Sequence, residues 1–393
     1  MTGKEKIEAA LSPGGSPEIA ALICYEDIYI RDHWKQLSSC PWWYSQSPDL
    51  DQQIAWIRQV APKIGQDWMH IPACPPKGYR QNHSIEERGG EAILINRLTR
   101  QKTTLVEPVV GGWEHFEQGY SGHVERLAQT PAEIDRLIPE LPPFDPVRYT
   151  REGRLDLAEQ VRAEFGDELF TFRYVSSPLW GCYSLWGFEG MMAMIAQSPR
   201  LVEHACQRYL AHRLYDVGEA AALGAGGLWI EDCMTDMISP QAFKALNLPL
   251  IQRLVEEIRS LGMKSIYYFC GNPSGKLDLL LESEADALAL EESKKGFTID
   301  IAEVAEVVQG KCALFGNLDA INLLPYGSEA DLRLEINRQL QAGRKNRSRF
   351  VMSLGSPVTP GTTPERVRLY CDLVHELGVY QRCPPAWWVR HSG

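Results

Sequence analysis

The chain has no apolar run approaching the roughly 18–20 residues needed to span a bilayer. It opens Met1-Thr-Gly-Lys-Glu-Lys-Ile, without the hydrophobic core of a signal peptide. Those absences make the cytoplasm the expected compartment, with no membrane partner expected. Positive charge is also scarce. Against 51 Asp and Glu stand 40 Lys and Arg, a net charge of −11, where a nucleic-acid binder needs a basic face. The ten cysteines include no Cys-x-x-Cys pair and no tight framework, so a disulfide-stapled secreted fold is not expected. Neither a Walker motif nor Gly-x-Ser-x-Gly occurs. Gly224-Ala-Gly226-Gly227 precedes a strand instead of following one, so it is not a dinucleotide loop. There is no solenoid repeat and no low-complexity tract.

What remains is an ordinary globular composition, 44% apolar and 23% charged over 393 residues. Eleven tryptophans are many, with pairs at Trp42-Trp43 and Trp387-Trp388 that read first as core or interface area. The order of elements is more informative. Strand-length apolar runs near 19, 67, 170, 227, 265, 285, 312 and 349 alternate with helical stretches, a count that predicts a (β/α)8 TIM barrel. The chain reads as one barrel domain, with an N-terminal extension and a β-hairpin insertion inside residues 1–165. Within 80–125, Glu91–Asn96 and Lys102–Val106 alternate in polarity and predict the antiparallel hairpin, placed to act as a lid or a homodimer contact. Pro131–Pro146 reads as a surface connection. Ser239-Pro240 and Thr363-Pro364 carry the signature of helix starts.

Polar chemistry gathers where these runs stop. Ser265–Phe269 ends at Cys270-Gly271-Asn272, Ala285–Leu290 at Glu291-Glu292, and Ala313–Phe315 at Gly316-Asn317-Leu318-Asp319. Gly227–Ile230 ends at Glu231-Asp232-Cys233, and the second run at His70. In a parallel barrel the carboxyl ends of the strands form the active face. Glu231 and Asp232 are neighbours on one strand, so one faces the barrel interior and the other the helices. A buried carboxylate such as Glu291 is costly unless paired or coordinating. Asn317 and Asp319 are candidates for the site, although an Asn after Gly also serves to hold a turn. His204-Ala-Cys206 has metal-binding letters but sits in a helical stretch, where i and i+2 do not share a face.

Taken in order, Ile238-Ser-Pro-Gln-Ala-Phe243, Cys270-Gly271-Asn272, Phe315–Asp319 and Leu354-Gly-Ser-Pro357 before Thr363-Pro364-Glu365 resemble the uroporphyrinogen decarboxylase superfamily, best over residues 170–377. That superfamily includes cobalamin-dependent methyltransferases. Its decarboxylases carry an Arg-Gln-Ala-Gly-Arg-Tyr loop for an acidic tetrapyrrole, where this chain has Tyr25-Glu-Asp-Ile-Tyr-Ile-Arg31-Asp32. The resemblance therefore implies the methyltransferase branch, with a decarboxylase or a non-catalytic ligand-binding barrel as the rival readings. The branch's zinc site, His-x-Cys and a later Cys, maps onto Tyr268, Cys270 and Ser356, with Glu291 as the accompanying carboxylate. Cys270 and Glu291 are thus the expected metal or acid residues. Glu231, Asp232, Cys233 or His70 would complete the set, and Tyr268 is placed to donate a hydrogen bond to the methylated heteroatom. Asp372-Leu-Val-His375-Glu-Leu-Gly378 has one residue too many for a corrinoid-binding motif, so the corrinoid is expected on a separate partner protein. Trp180, Tyr183 and Trp186 lie near strand ends and would suit an aromatic methyl ether among small methylated donors.

Overall fold

The computed structural model describes residues 1–112, 128–293 and 296–379. The Trp387-Trp388 pair and part of the 80–125 insertion lie outside them. Ten strands are present among the described residues: β1 (Trp68–His70), β2 (His83–Arg88), β3 (Glu91–Asn96), β4 (Lys102–Thr104), β5 (Phe170–Ser176), β6 (Gly227–Asp232), β7 (Lys264–Phe269), β8 (Ala287–Leu290), β9 (Ala313–Phe315) and β10 (Phe350–Val351). Seven of them form a parallel sheet in the order β1-β5-β6-β7-β8-β9-β10.

The segment 19–24 closes that sheet into a barrel. The Met352 amide donates to the Ala20 carbonyl at 2.9 Å, and Leu22 donates back to Met352 at 3.0 Å. On the other side the Asp67 amide donates to Ala21 at 2.8 Å. The expected first strand is therefore in place, but it is not a regular ladder. Side chains replace backbone acceptors there: the Ala21 amide donates to the Asp67 carboxylate at 2.6 Å and the Ile23 amide to the Gln66 carboxamide at 3.1 Å. Every backbone donor must find a partner, and these side chains supply it.

Aromatic rings fill the barrel interior. Trp68 stacks on Phe172 with centroids 3.7 Å apart, Trp229 on Tyr268 at 4.9 Å, and Tyr25 on Tyr174 at 5.5 Å. Helices such as Pro199–Leu223, Leu248–Ser260 and Pro364–Leu377 cover the outside. The Ser239 and Thr363 side chains accept from the Ala242 and Arg366 amides, as their helix-start signatures require.

Two expectations change. The insertion is a three-stranded antiparallel sheet, β2-β3-β4, and not a lone hairpin. Its first strand, His83-Ser-Ile-Glu-Glu-Arg88, carries one aliphatic residue and has no buried position, so it left no hydrophobic signal. The connection 131–146 contains a helix, Pro131–Leu137, started by a Thr130–Glu133 capping box. No helix among the described residues is long and apolar enough to cross a membrane.

Candidate active site

β6, β7 and β8 deliver the central groups. Tyr268 is in register with Glu231 on one side and Ala289 on the other, so these side chains share a face. Trp229, two residues before Glu231, stacks on Tyr268 inside the barrel, which makes that face the inner one. Two further residues along each chain, Cys233, Cys270 and Glu291 reach the rim. There the Cys270 thiol lies 3.1 Å from Oε1 of Glu291. The Cys233 thiol is hydrogen-bonded to that of Cys270, which with burial pushes its pKa well up. Cys270, Cys233 and Glu291 all line a cavity of about 770 Å3 at the barrel mouth.

The walls of this cavity are mainly apolar. Trp180, Phe188, Phe297, Tyr25 and Tyr268 contribute rings, while Asp236 and Glu291 are the charged groups lining it. No Arg, Lys or His among the described residues lines it. Burial and the neighbouring Cys270 and Glu291 drive the Tyr268 phenol far above its usual pKa, so it stays protonated. Its hydroxyl already donates to the Gly355 carbonyl at 2.9 Å, so that proton is engaged within the protein. The rim also holds unusual backbone. Tyr25 and Met234 both line the cavity with left-handed φ values of 56° and 61°. Non-glycine residues adopt that region at some cost, and such strain often gathers where a site must be held open. Gly271, at φ 110°, packs against the Asp236 carboxyl group, where any Cβ would collide.

The other predicted residues divide. Trp180 and Ser356 line the cavity. Tyr183 stands behind Trp180, with centroids 5.2 Å apart, and its hydroxyl donates to the Met234 carbonyl at 3.1 Å. Trp186 is buried, with its indole N–H donating to the Ala128 carbonyl at 2.8 Å. Glu231 shares the inner face, within reach of Ser176 at 3.5 Å. Asp232 faces the helices. It is fully buried and accepts from Ser177 at 2.7 Å, Asn247 at 2.7 Å and Tyr267 at 2.5 Å. Burial raises its pKa against those hydrogen bonds. Asn317 braces the next loop, donating to the backbone carbonyls of Glu291 and Ile299 at 2.9 and 3.1 Å. The Asp319 carboxylate accepts from the Ile321 and Asn322 amides, each at 2.8 Å, and so shapes a turn. His70 lies apart from the mouth and lines a second cavity.

Cys233, one of the residues expected to complete the set, is at the site. Phe188, Phe297 and Tyr25 join it without having been singled out as site residues. Cys233, Cys270 and Glu291 are two thiols and a carboxylate in serial contact, a donor set whose chemistry suits zinc. Among the described residues no three His, Cys, Asp or Glu side chains are grouped into a metal centre.

The family model for uroporphyrinogen decarboxylase (URO-D) matches residues 105–377. The chain belongs to the uroporphyrinogen decarboxylase family. The uroporphyrinogen decarboxylase of Xanthomonas axonopodis pv. citri (strain 306) is 26% identical over 279 residues, covering 67% of this chain and 75% of that one. That of Thermodesulfovibrio yellowstonii is 27% identical over 191 residues, 49% of each. Among solved structures, a methyltransferase from Methanosarcina mazei superposes with a TM-score of 0.58 at 17% identity, covering 96% of this chain and 99% of that one. At that identity the likeness shows the fold alone. The matched region begins well before residue 170, where the sequence motifs start, and takes in the end of the insertion.

Proposed function

We propose that this family member is a methyltransferase that moves a methyl group from a small methylated donor to the cobalt of a corrinoid carried by a separate protein. The observation that carries the reading is the contact of Cys270 with Glu291 on an aromatic-walled cavity without a cationic lining among the described residues. A decarboxylase acting on a polycarboxylate would need arginines or lysines to hold its substrate. Arg31, in the region where the decarboxylases keep theirs, pairs with Asp32 at 2.8 Å and donates to the carbonyl of Gly112 on the cavity's edge, without itself lining the mouth. The methyltransferase neighbour in structure space supports the same choice.

In this reading the rings of Trp180, Phe188 and Phe297 hold the donor's organic part and keep water from the reacting carbon. The C–X electron pair stays on the donor heteroatom X, and the methyl group passes to reduced cobalt. A proton must then reach X. The hydrogen-bonded pair Cys270–Glu291 is the group placed to hold and deliver it. Tyr268 is better seen as fixing the Gly355 loop than as the proton donor. Zinc, when bound, would act as a Lewis acid on X, with Cys270 and Glu291 as the protein ligands in contact and no third His, Cys, Asp or Glu grouped with them among the described residues. Ring-bearing donors, aromatic methyl ethers among them, suit the walls best, and phenolate is a workable leaving group.

The test incubates the purified protein with a reduced corrinoid carrier protein and a panel of methyl ethers, methylamines and thioethers, following the cobalt absorption spectrum. Methylation of the corrinoid with at least one donor is expected. A competent carrier that stays unmethylated with every donor would favour a non-catalytic binding barrel.

A further inference from the structure

A second cavity, about 360 Å3, opens beside the barrel, separate from the mouth. One wall is the short helix Glu26–Asp32 that follows the first barrel segment, bringing Glu26, Asp27 and Arg31. The other is the helix Leu50–Ile64, bringing Trp56, Ile57 and Val60. Its volume falls in the range of small-molecule sites. Tyr25 lines the mouth while Glu26 and Asp27 line this cavity, so one stretch of backbone separates the two.

The lining has two chemical halves. Trp34 and Trp56 meet with centroids 5.3 Å apart and planes tilted by 46°, forming an aromatic corner that Trp42 extends. Trp34 is fixed by its indole N–H, which donates to the Cys40 carbonyl at 2.8 Å. Carboxylates share the lining. Asp27 sits 3.3 Å from Nδ1 of His70, and its side chain is 40% exposed. Burial opposes its charge, but His70 and, more weakly, Arg173 outweigh burial and hold the acid below its usual pKa, so it is ionised at neutral pH. Of the positive groups nearby, Lys35 pairs with Glu107 at 3.1 Å and Arg31 pairs with Asp32, while Nη1 of Arg31 is buried without a hydrogen-bond partner among the described residues.

An ionised carboxylate sharing one cavity with a tryptophan corner is the chemistry that recognises an organic cation, whose charge meets the carboxylate and the ring faces together. Alkyl groups on the cation would meet Ile57, Val60 and Met69. We propose that this cavity, built by Trp34, Trp42, Trp56 and Asp27, is a binding site for a small methylated ammonium ion, distinct from the cavity at the barrel mouth. The inference is independent of the methyl-transfer reading, because it uses none of the residues at the mouth.

The experiment titrates the full chain with choline, and with its neutral isostere 3,3-dimethylbutan-1-ol, by calorimetry and tryptophan fluorescence. Choline is expected to bind saturably at one site and at least tenfold more tightly than the isostere. Asp27→Asn should reduce choline to the level of the isostere, and Trp56→Leu should weaken it comparably. Glu291→Gln, at the mouth, should leave choline affinity within twofold of the wild type. If Trp56→Leu fails to fold, Asp27→Asn alone decides. Equal affinity for the two compounds, no choline binding at millimolar concentration, or a loss confined to Glu291→Gln would each overturn the assignment. A methyltransferase that fails every donor assay would leave this result untouched, and the converse also holds.

Discussion

Cys270 and Glu291 leave neighbouring parallel strands and meet at 3.1 Å on the rim of the barrel. Asn317 from the next strand end holds the Glu291 backbone from behind at 2.9 Å. Three successive strands thus converge on one polar contact within a mainly apolar cavity.

If that contact and Cys233 form the metal-binding group, Co2+ added to the apoprotein will give thiolate-to-cobalt charge-transfer absorption. Cys233→Ser and Cys270→Ser should each diminish it, whereas Glu291→Gln should weaken affinity but keep the band. A Co2+ titration without any thiolate band would remove the metal from the account and leave the acid role of the pair.

Asp232 separates bracing from chemistry. It ties β6 to Ser177, Asn247 and Tyr267 with no water contact. Asp232→Ala leaves three buried donors unpaired, a loss of about 2–4 kcal/mol. Chemical denaturation should show that loss, while turnover per folded molecule stays within a few fold. A large drop in turnover without a drop in stability would instead place Asp232 in the reaction.

Asp67 is the corresponding tie at the other end of the barrel. It accepts from the Ala21 amide, pairs with Lys6 at 3.2 Å and lies 2.6 Å from Nε2 of His375. Burial opposes its charge, but His375, Lys6 and Ala21 outweigh burial and hold the acid below 3.8. A depressed folded-state pKa contributes stability that is present above the unfolded value and lost as pH falls through the folded one. Asp67→Asn should therefore lower the melting temperature at neutral pH and flatten the acid limb below about pH 4. Unchanged melting at neutral pH would contradict the reading.

Glu26 has the opposite sign. Burial and Asp27 raise its pKa from 4.5 to about 8, despite hydrogen bonds from the His70 amide and Gln66. The folded state then binds the extra proton between those values, so this group makes stability fall as pH rises from about 5 to 8. The full effect is on the order of 5 kcal/mol for so large a shift. Glu26→Gln should give a flatter melting profile across that window, whatever its absolute melting temperature. A slope equal to the wild type's would show that Glu26 is not the source.

Much of this was legible in the sequence, and for physical reasons. Buried parallel strands are continuous apolar runs with polar stops, so Ala313–Phe315 was bounded as the structure has it, and Cys270 and Glu291 could be placed at strand ends. The segment 19–24 was readable as a strand position but not as an irregular one, because Asp67 and Gln66 replace its ladder partners from more than 40 residues away. The facing of Asp232 was left open between two neighbours, since strand alternation gives opposite faces without saying which residue takes which. The second cavity was hidden for a different reason. Trp34, Trp42 and Trp56 come from three separate local elements and meet only through tertiary packing.

The most direct measurement is a single-turnover reaction of a phenyl methyl ether with excess Co(I) corrinoid protein, followed by stopped-flow absorbance in the wild type, Cys270→Ala and Glu291→Gln. Wild-type enzyme is predicted to methylate the corrinoid, and each variant to do so about 100-fold more slowly or worse while remaining folded. Variants that transfer the methyl group as fast as the wild type would contradict the role given to this pair.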